Sequence, residues 1–146
     1  MMINKYGRGM VFYFNRGSLE IGNDWQDKSI ILLTNEFGQS ISISYDKLPF
    51  GMSFSEFCER EITSLGKQLT DYKEVSREIG ELDNRPCVFT EYSWHSPQGK
   101  LQQITAIVDM ADKFPLMITL TSVVALTSKQ KEILLDIVRS FKARVG

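Results

Sequence analysis

The sequence contains few of the residues on which most catalytic and metal-binding sites depend. Its 146 residues include one histidine, His95, and two cysteines, Cys58 and Cys87. The cysteines follow neither a CxxC nor a metal-ligand spacing, and two thiols are too few for a disulfide scaffold. We therefore interpret both cysteines as buried and reduced, and we expect no bound metal.

No catalytic pair can be assembled from the remaining chemistry. A cysteine nucleophile would need His95 beside it, but Cys87 lies eight positions earlier, in what reads as the same strand. The carboxylates stand in no acid–base motif. There is neither a GxxxxGK[ST] phosphate loop nor a complete dinucleotide fingerprint, so no cofactor is expected. These absences predict a protein that binds rather than catalyses.

An excess of charge and a long apolar run are also missing. Seventeen basic and 18 acidic residues leave a net charge of −1, which predicts no nucleic-acid partner. The run from Met10 to Phe14 is too short for a signal-peptide core. The stretch 116–126 is broken by Thr and Ser and falls short of the roughly 20 residues that a membrane span needs. We expect a cytoplasmic protein that is not itself embedded in a membrane.

The organisation that is present predicts one domain over residues 1–146, since neither a repeat nor a linker divides the chain. Alternating segments predict strands over 10–14, 18–21, 29–34, 39–45, 73–82, 86–94, 101–110 and 116–124. Ser53-x-x-Glu56 predicts a capping box for a helix that runs to about Tyr72, and Thr127-x-x-Gln130 predicts one for a second helix. The predicted class is α+β, with a mostly antiparallel, curved sheet and two amphipathic helices.

One predicted strand is apolar on both faces. Ile30 and Leu32 point one way, while Ile31 and Leu33 point the other. A half-exposed antiparallel strand normally alternates apolar and polar residues. We therefore expect other parts of the protein or a partner to pack against both faces of this strand.

Two later strands carry a face that is polar but uncharged. Thr119, Thr121 and Val123 share a face in one strand, and the second face is made of Leu101, Gln103, Thr105 and Ile107. These strands are either covered by the second helix or a dimer partner, or they line a concave surface for an apolar guest with a few polar atoms. Periodicity leaves both interpretations open.

Three segments together resemble a known family. They are the LEI…W-x-D-x-S-I stretch from Leu19 to Ile30, the helix from Phe54 to Leu69, and the pair Tyr92-x-Trp94 with Leu101-x-Gln103. The order and sequences of these segments resemble the Eag chaperones, the effector-associated chaperones of bacterial type VI secretion. These chaperones belong to a DcrB-like family with a PsbP-like fold. The likeness covers most of the chain, and its opening stretch is the most specific part.

The resemblance implies a homodimeric cytoplasmic chaperone without catalytic activity. Its partner would be the N-terminal transmembrane region of a secreted effector of the PAAR or Rhs type, which it would shield and help to load onto the secretion spike. The groove positions of the family fall on Ile30, Leu32, Glu61, Leu65, Leu69, Leu101, Gln103 and Thr105. Glu61 stands where a glutamine is expected in relatives. The alternative on the same fold is a module that binds a lipid or another small apolar ligand.

Overall fold

The structure is a computed structural model and describes residues 10–144. The strands are β1 (Met10–Phe14), β2 (Gly17–Ile21), β3 (Ile31–Thr34), β4 (Gln39–Tyr45), β5 (Lys73–Leu82), β6 (Arg85–Ser96), β7 (Gly99–Val108) and β8 (Leu116–Ser122). The helices are α1 (Phe54–Gln68) and α2 (Ser128–Arg139). The strand β3 begins at Ile31, so Ile30 lies just outside it.

The strands form two antiparallel sheets. Within residues 10–144, β1 and β2 pair with each other and with no further strand, and the other strands form a six-stranded sheet in the order β3-β4-β8-β7-β6-β5. Tight hairpins build one half of this sheet. Asp83 and Asn84, between β5 and β6, both have positive φ (51° and 58°), as a two-residue turn matching the twist of its strands requires. The predicted α+β class with a mostly antiparallel sheet is confirmed.

The helix α1 begins where the capping box predicts and ends earlier than expected. The Ser53 hydroxyl accepts a hydrogen bond from the Glu56 backbone N–H, and the Glu56 carboxylate accepts one from the Ser53 N–H, each at 3.1 Å. The predicted end near Tyr72 is wrong, because Gln68 is the last helical residue. The next residue, Leu69, is extended, and Asp71 adopts φ 54°, so the chain reverses before β5.

The two helices pack on opposite faces of the six-stranded sheet. On one face, Phe57, Cys58 and Ile62 of α1 form a core cluster with Ile107 of β7. On the other face, Leu134 and Val138 of α2 join a core with alternate residues of the central strands, namely Ile104, Ala106, Val108, Ile118 and Leu120. The middle of the sheet is therefore buried on both sides.

This arrangement corrects one interpretation of the uncharged strand face. Thr105 pairs with Thr119 and Ile107 pairs with Met117, so these side chains share the face on which α1 lies. The suggestion that the second helix covers this face is wrong, because α2 packs against the even-numbered residues of β7. The two faces of β3 are not covered either, since Ile31, Leu32 and Leu33 are each more than half exposed.

No helix within residues 10–144 is both long enough and apolar enough to cross a membrane.

Candidate functional site

Polar, uncharged side chains form two rows across three neighbouring strands on the α1 face. Cross-strand register aligns Gln103 with Thr121 and then Ser40, and it aligns Thr105 with Thr119 and then Ser42. Directly paired residues project from the same side of a sheet. We call these residues, Ser40, Ser42, Gln103, Thr105, Thr119 and Thr121, the hydroxyl floor.

Hydrogen bonds hold the β7 and β8 part of the floor in place. Trp94 donates its indole N–H to Oε1 of Gln103 at 2.6 Å, and the amide nitrogen of Gln103 donates to Oγ1 of Thr121 at 2.8 Å. In the parallel chain, the Tyr92 hydroxyl lies 2.9 Å from Oγ1 of Thr105. Thr105 Oγ1 in turn lies 3.1 Å from Oγ1 of Thr119. Trp94 and Tyr92 therefore fix the orientation of the floor amide and hydroxyls.

The floor is open as well as ordered. Thr119, Thr121, Ser40 and Ser42 are half-buried, while Thr105 is buried. A hydroxyl carries one donor and two acceptor lone pairs, so one bond within the floor leaves capacity for another. The surface can accept and donate hydrogen bonds to a guest without presenting a charge.

The helix α1 closes one side of the floor incompletely. Leu65 follows Cys58 and Ile62 at spacings of seven and three residues, so it points toward the sheet with them. Cys58 and Ile62 are buried, but Leu65 and Leu69 are only half-buried. The helix thus covers the sheet fully around Ile107 and leaves apolar surface accessible along its C-terminal half.

Glu61 lies on the same half of α1 and is also half-buried. Its carboxylate pairs with the Arg60 guanidinium at 3.1 Å. A carboxylate only accepts hydrogen bonds, whereas the glutamine expected at this position would also donate. Glu61 can therefore contact donor groups of a guest but not its carbonyl oxygens.

The opposite side of the floor ends in exposed aliphatic residues. Leu32 of β3 pairs with Ser42 and is 63% exposed, and Ile30 just before the strand is 67% exposed. Leu101 lies on β7, two residues before Gln103 and on the same face, and it pairs with Trp94 of β6. Most of the predicted groove residues are thus assembled on one face: Leu32, Leu101, Gln103 and Thr105 in the sheet, with Glu61, Leu65 and Leu69 on the helix that lies over it.

Sequence reasoning missed the residues that orient the floor. Trp94 and Tyr92 were named only as part of the family resemblance and were given no role, yet they hold Gln103 and Thr105. Their pairing positions in the β6–β7 hairpin could have identified them from the sequence. Tyr92 and Gln103 stand opposite each other in a hairpin whose two-residue turn, Pro97-Gln98, sets the register.

The groups that catalysis or metal binding would use are dispersed. His95 is exposed near the end of β6, and its Nδ1 lies 3.3 Å from an Asp71 carboxylate oxygen. Cys58 and Cys87 are free and buried as predicted, and burial raises the pKa of each thiol to about 12. In the described part of the chain, no three His, Cys, Asp or Glu residues are grouped so that they could hold a metal ion.

Solved structures define the class of fold. The crystal structure of PA94 from Pseudomonas aeruginosa, described as a protein of unknown function and a candidate regulator, matches with a TM-score of 0.76 at 21% identity, covering 96% of this chain and 100% of that one. The solution structure of cyanobacterial PsbP (CyanoP) from Synechocystis sp. PCC 6803 matches with a TM-score of 0.50 at 9% identity, covering 84% of this chain and 83% of that one. The protein therefore has a PsbP-like α+β fold.

The family follows from the sequence match within this fold. The DcrB family model matches residues 16–140, and the chain belongs to the DcrB family. A search of curated proteins found no match. The resemblance is thus confirmed for the DcrB-like family and the PsbP-like fold.

Proposed function

We propose that this DcrB-family protein is a cytoplasmic chaperone for the N-terminal transmembrane helices of a type VI secretion effector. It shields these helices and aids loading of the effector onto the secretion spike. The guest helix lies on the hydroxyl floor, between the C-terminal half of α1 and the exposed residues around β3. The observation that carries this proposal is an uncharged polar floor bordered on both sides by accessible aliphatic side chains.

The aliphatic borders supply the affinity. A transmembrane helix in water exposes a continuous apolar surface, and burying one Leu-sized side chain is worth about 1.5–3 kcal/mol. Ile30 and Leu32 on one side, with Leu65 and Leu69 on the other, offer matching surface that is itself accessible to water. Contact removes both surfaces from water.

The floor supplies a substitute for contacts within the membrane. Transmembrane helices use Ser, Thr, Asn and Gln side chains to hydrogen-bond neighbouring helices. Thr119, Thr121 and Gln103 present the same groups in one plane. A charged floor would lose its hydration under an apolar guest at a much higher cost, so the absence of Lys and Glu from these rows favours such a guest.

The test is co-expression with an effector N-terminus that contains its transmembrane helices, followed by purification of the complex. Ile30→Asp and Leu32→Asp change exposed residues and should keep the fold while the soluble complex is lost, because each places a charge against the guest. Leu65→Asp should act in the same way, and its fold is checked by thermal unfolding. Ile133→Asp is the matched control, since Ile133 is 55% exposed on α2, on the opposite face of the sheet.

Two results would point elsewhere. If Ile30→Asp and Leu32→Asp leave the complex intact, the groove is wrongly placed. If native mass spectrometry of the purified protein finds a bound small apolar molecule and no effector complex forms, the lipid-binding alternative replaces the chaperone.

We also propose that the protein acts without catalysis and as a homodimer. His95 is exposed and contacts Asp71, whereas both thiols are buried, so His95→Ala should leave complex formation unchanged. The homodimer proposal is supported by the resemblance to Eag chaperones and by the exposed Ile31 and Leu33, which lie on the face of β3 that the guest does not use. Sedimentation velocity gives the oligomeric state directly.

A further inference from the structure

A second cleft lies where β4 ends and β8 begins, with a volume of about 710 Å³. Tyr45 at the end of β4 and Leu116 at the start of β8 pair with each other and line it. Tyr45 alternates with Ser44, so it leaves the sheet on the face opposite the hydroxyl floor. The cleft is therefore separate from the proposed helix groove.

Three aromatic side chains line this cleft: Trp25, Tyr45 and Phe114. The rings of Tyr45 and Phe114 are nearly perpendicular, at 86°, with centroids 5.8 Å apart, and they form a corner. Trp25 lines the same space from the segment between β2 and β3 and is largely exposed. A cation placed over the face of an aromatic ring is attracted, because the face carries negative potential.

A carboxylate is held at this corner. Oδ2 of Asp27 accepts a hydrogen bond from the Tyr45 hydroxyl at 2.7 Å, and Oδ1 accepts from the backbone N–H of Ser29 at 2.8 Å and from the Ser29 hydroxyl. These bonds lower the pKa of Asp27, so its carboxylate stays ionised at lower pH than that of a free aspartate. Lys28, also in the lining, pairs with Asp46 at 3.9 Å, and no ion pair to Asp27 forms among residues 10–144.

The same residues are the most specific motif in the sequence, Trp25-x-Asp27-x-Ser29-Ile30. The proposed helix groove uses only Ile30. We propose that the rest of the motif, together with Tyr45 and Phe114, builds a binding site for an alkylammonium group. The aromatic faces contact the cationic head, Asp27 balances its charge, and the methionines Met10 and Met110 on the lining accommodate an alkyl stem.

The ligand is either a free quaternary ammonium compound or the side chain of a lysine on a partner protein, since both carry an ammonium group on an alkyl stem. The volume falls within the range of small-ligand sites, about 300–1,000 Å³. This site does not depend on the chaperone proposal, and it can be tested on the purified chain without an effector.

The test is a fluorescence titration in a Trp94→Phe background, in which Trp25 is the only tryptophan. Choline and Nα-acetyl-lysine amide are the two probes, and 3,3-dimethyl-1-butanol is the neutral isostere of choline. Choline or the lysine amide should change the emission of Trp25 saturably, and the isostere should bind about fivefold more weakly or worse, as loss of a cation–π contact implies. The tighter of the two probes identifies the source of the ammonium group.

Asp27→Asn removes the charge and keeps the shape: the amide oxygen can still accept from Ser29, and the amide nitrogen can donate to the Tyr45 hydroxyl, which then acts as acceptor. It should weaken binding of the charged probe about threefold or more and leave the thermal midpoint nearly unchanged. Asp24→Asn, three residues away and outside the lining, is the matched control. Equal affinity for choline and its neutral isostere, or no saturable response to either charged probe, would overturn the proposal.

Discussion

At the scale of single residues, the hydroxyl floor combines structural and surface roles in the same side chains. Thr105 is buried and bonded to both Tyr92 and Thr119, whereas Thr119 is half-exposed. The buried members of the network thus orient the exposed ones. A guest would meet hydroxyls that are already positioned, which lowers the entropic cost of binding.

Thr105→Val tests this network, because valine keeps the shape of threonine and removes the hydroxyl. We expect a loss of about 1–3 kcal/mol in the free energy of unfolding, since the Tyr92 hydroxyl is left buried without its partner. Urea denaturation measures the change. Thr63→Val on the exposed face of α1 is the control and should stay within about 0.5 kcal/mol of the parent. Equal stability of the two variants would show that the network contributes nothing.

At the scale of elements, the two edges of the six-stranded sheet differ in their protection. β5 is ten residues long, carries Lys and Glu residues along its length, and has a bulge between Glu74 and Ser76. Charges and bulges discourage pairing with another sheet. β3 is four residues long and carries no charge, and its aliphatic side chains are exposed on both faces. β3 is therefore the edge at which another chain can be accommodated.

Leu33→Lys should lower self-association of the purified protein and change its stability little. Leu33 is more than half exposed, and its side chain points away from the hydroxyl floor. A lysine on an edge strand opposes edge-to-edge pairing because its charge must be desolvated. Sedimentation velocity at several concentrations measures the shift toward monomer. Ile79→Lys on β5 is the control, and a similar shift in that variant would argue against a special role for β3.

At the scale of the whole molecule, the core depends on both helices and not on the first hairpin. α1 and α2 bury opposite faces of the same central strands. The residues of β1 and β2 occur in neither core cluster. A two-stranded hairpin alone is marginally stable, so its ordering contributes little to the fold.

Two truncations should therefore behave differently. A chain that lacks residues 1–21 should keep cooperative urea unfolding and its near-ultraviolet circular dichroism, because both core clusters remain. A chain that ends at Ala125 loses α2 and exposes Ile104, Ala106 and Leu120 to water, and it should lose both properties. Cooperative unfolding of the second chain, or its absence in the first, would contradict this account of the core.

Much of this architecture could be predicted from local pattern. The capping boxes at Ser53 and Thr127 predicted both helix starts, because a cap is a contact between residues three positions apart. The end of α1 was missed, since Asp71 is not a residue type that reliably signals a reversal. Of the candidate site, Gln103, Thr105, Thr119 and Thr121 were singled out by their uncharged faces, but the roles of Trp94 and Tyr92 followed only from hydrogen bonds across strands.

The sequence by itself determined the strands, the helix starts, the family and the two-faced character of the segment 30–33. Only the tertiary structure decided that α1, and not α2, packs on the face of the sheet that carries the hydroxyl floor. A period of two residues records that a strand has two different faces, but it does not record which helix will dock on either. That choice depends on packing between Ile107 and Phe57 on one side and between Val108 and Val138 on the other, which are contacts between residues distant in the chain.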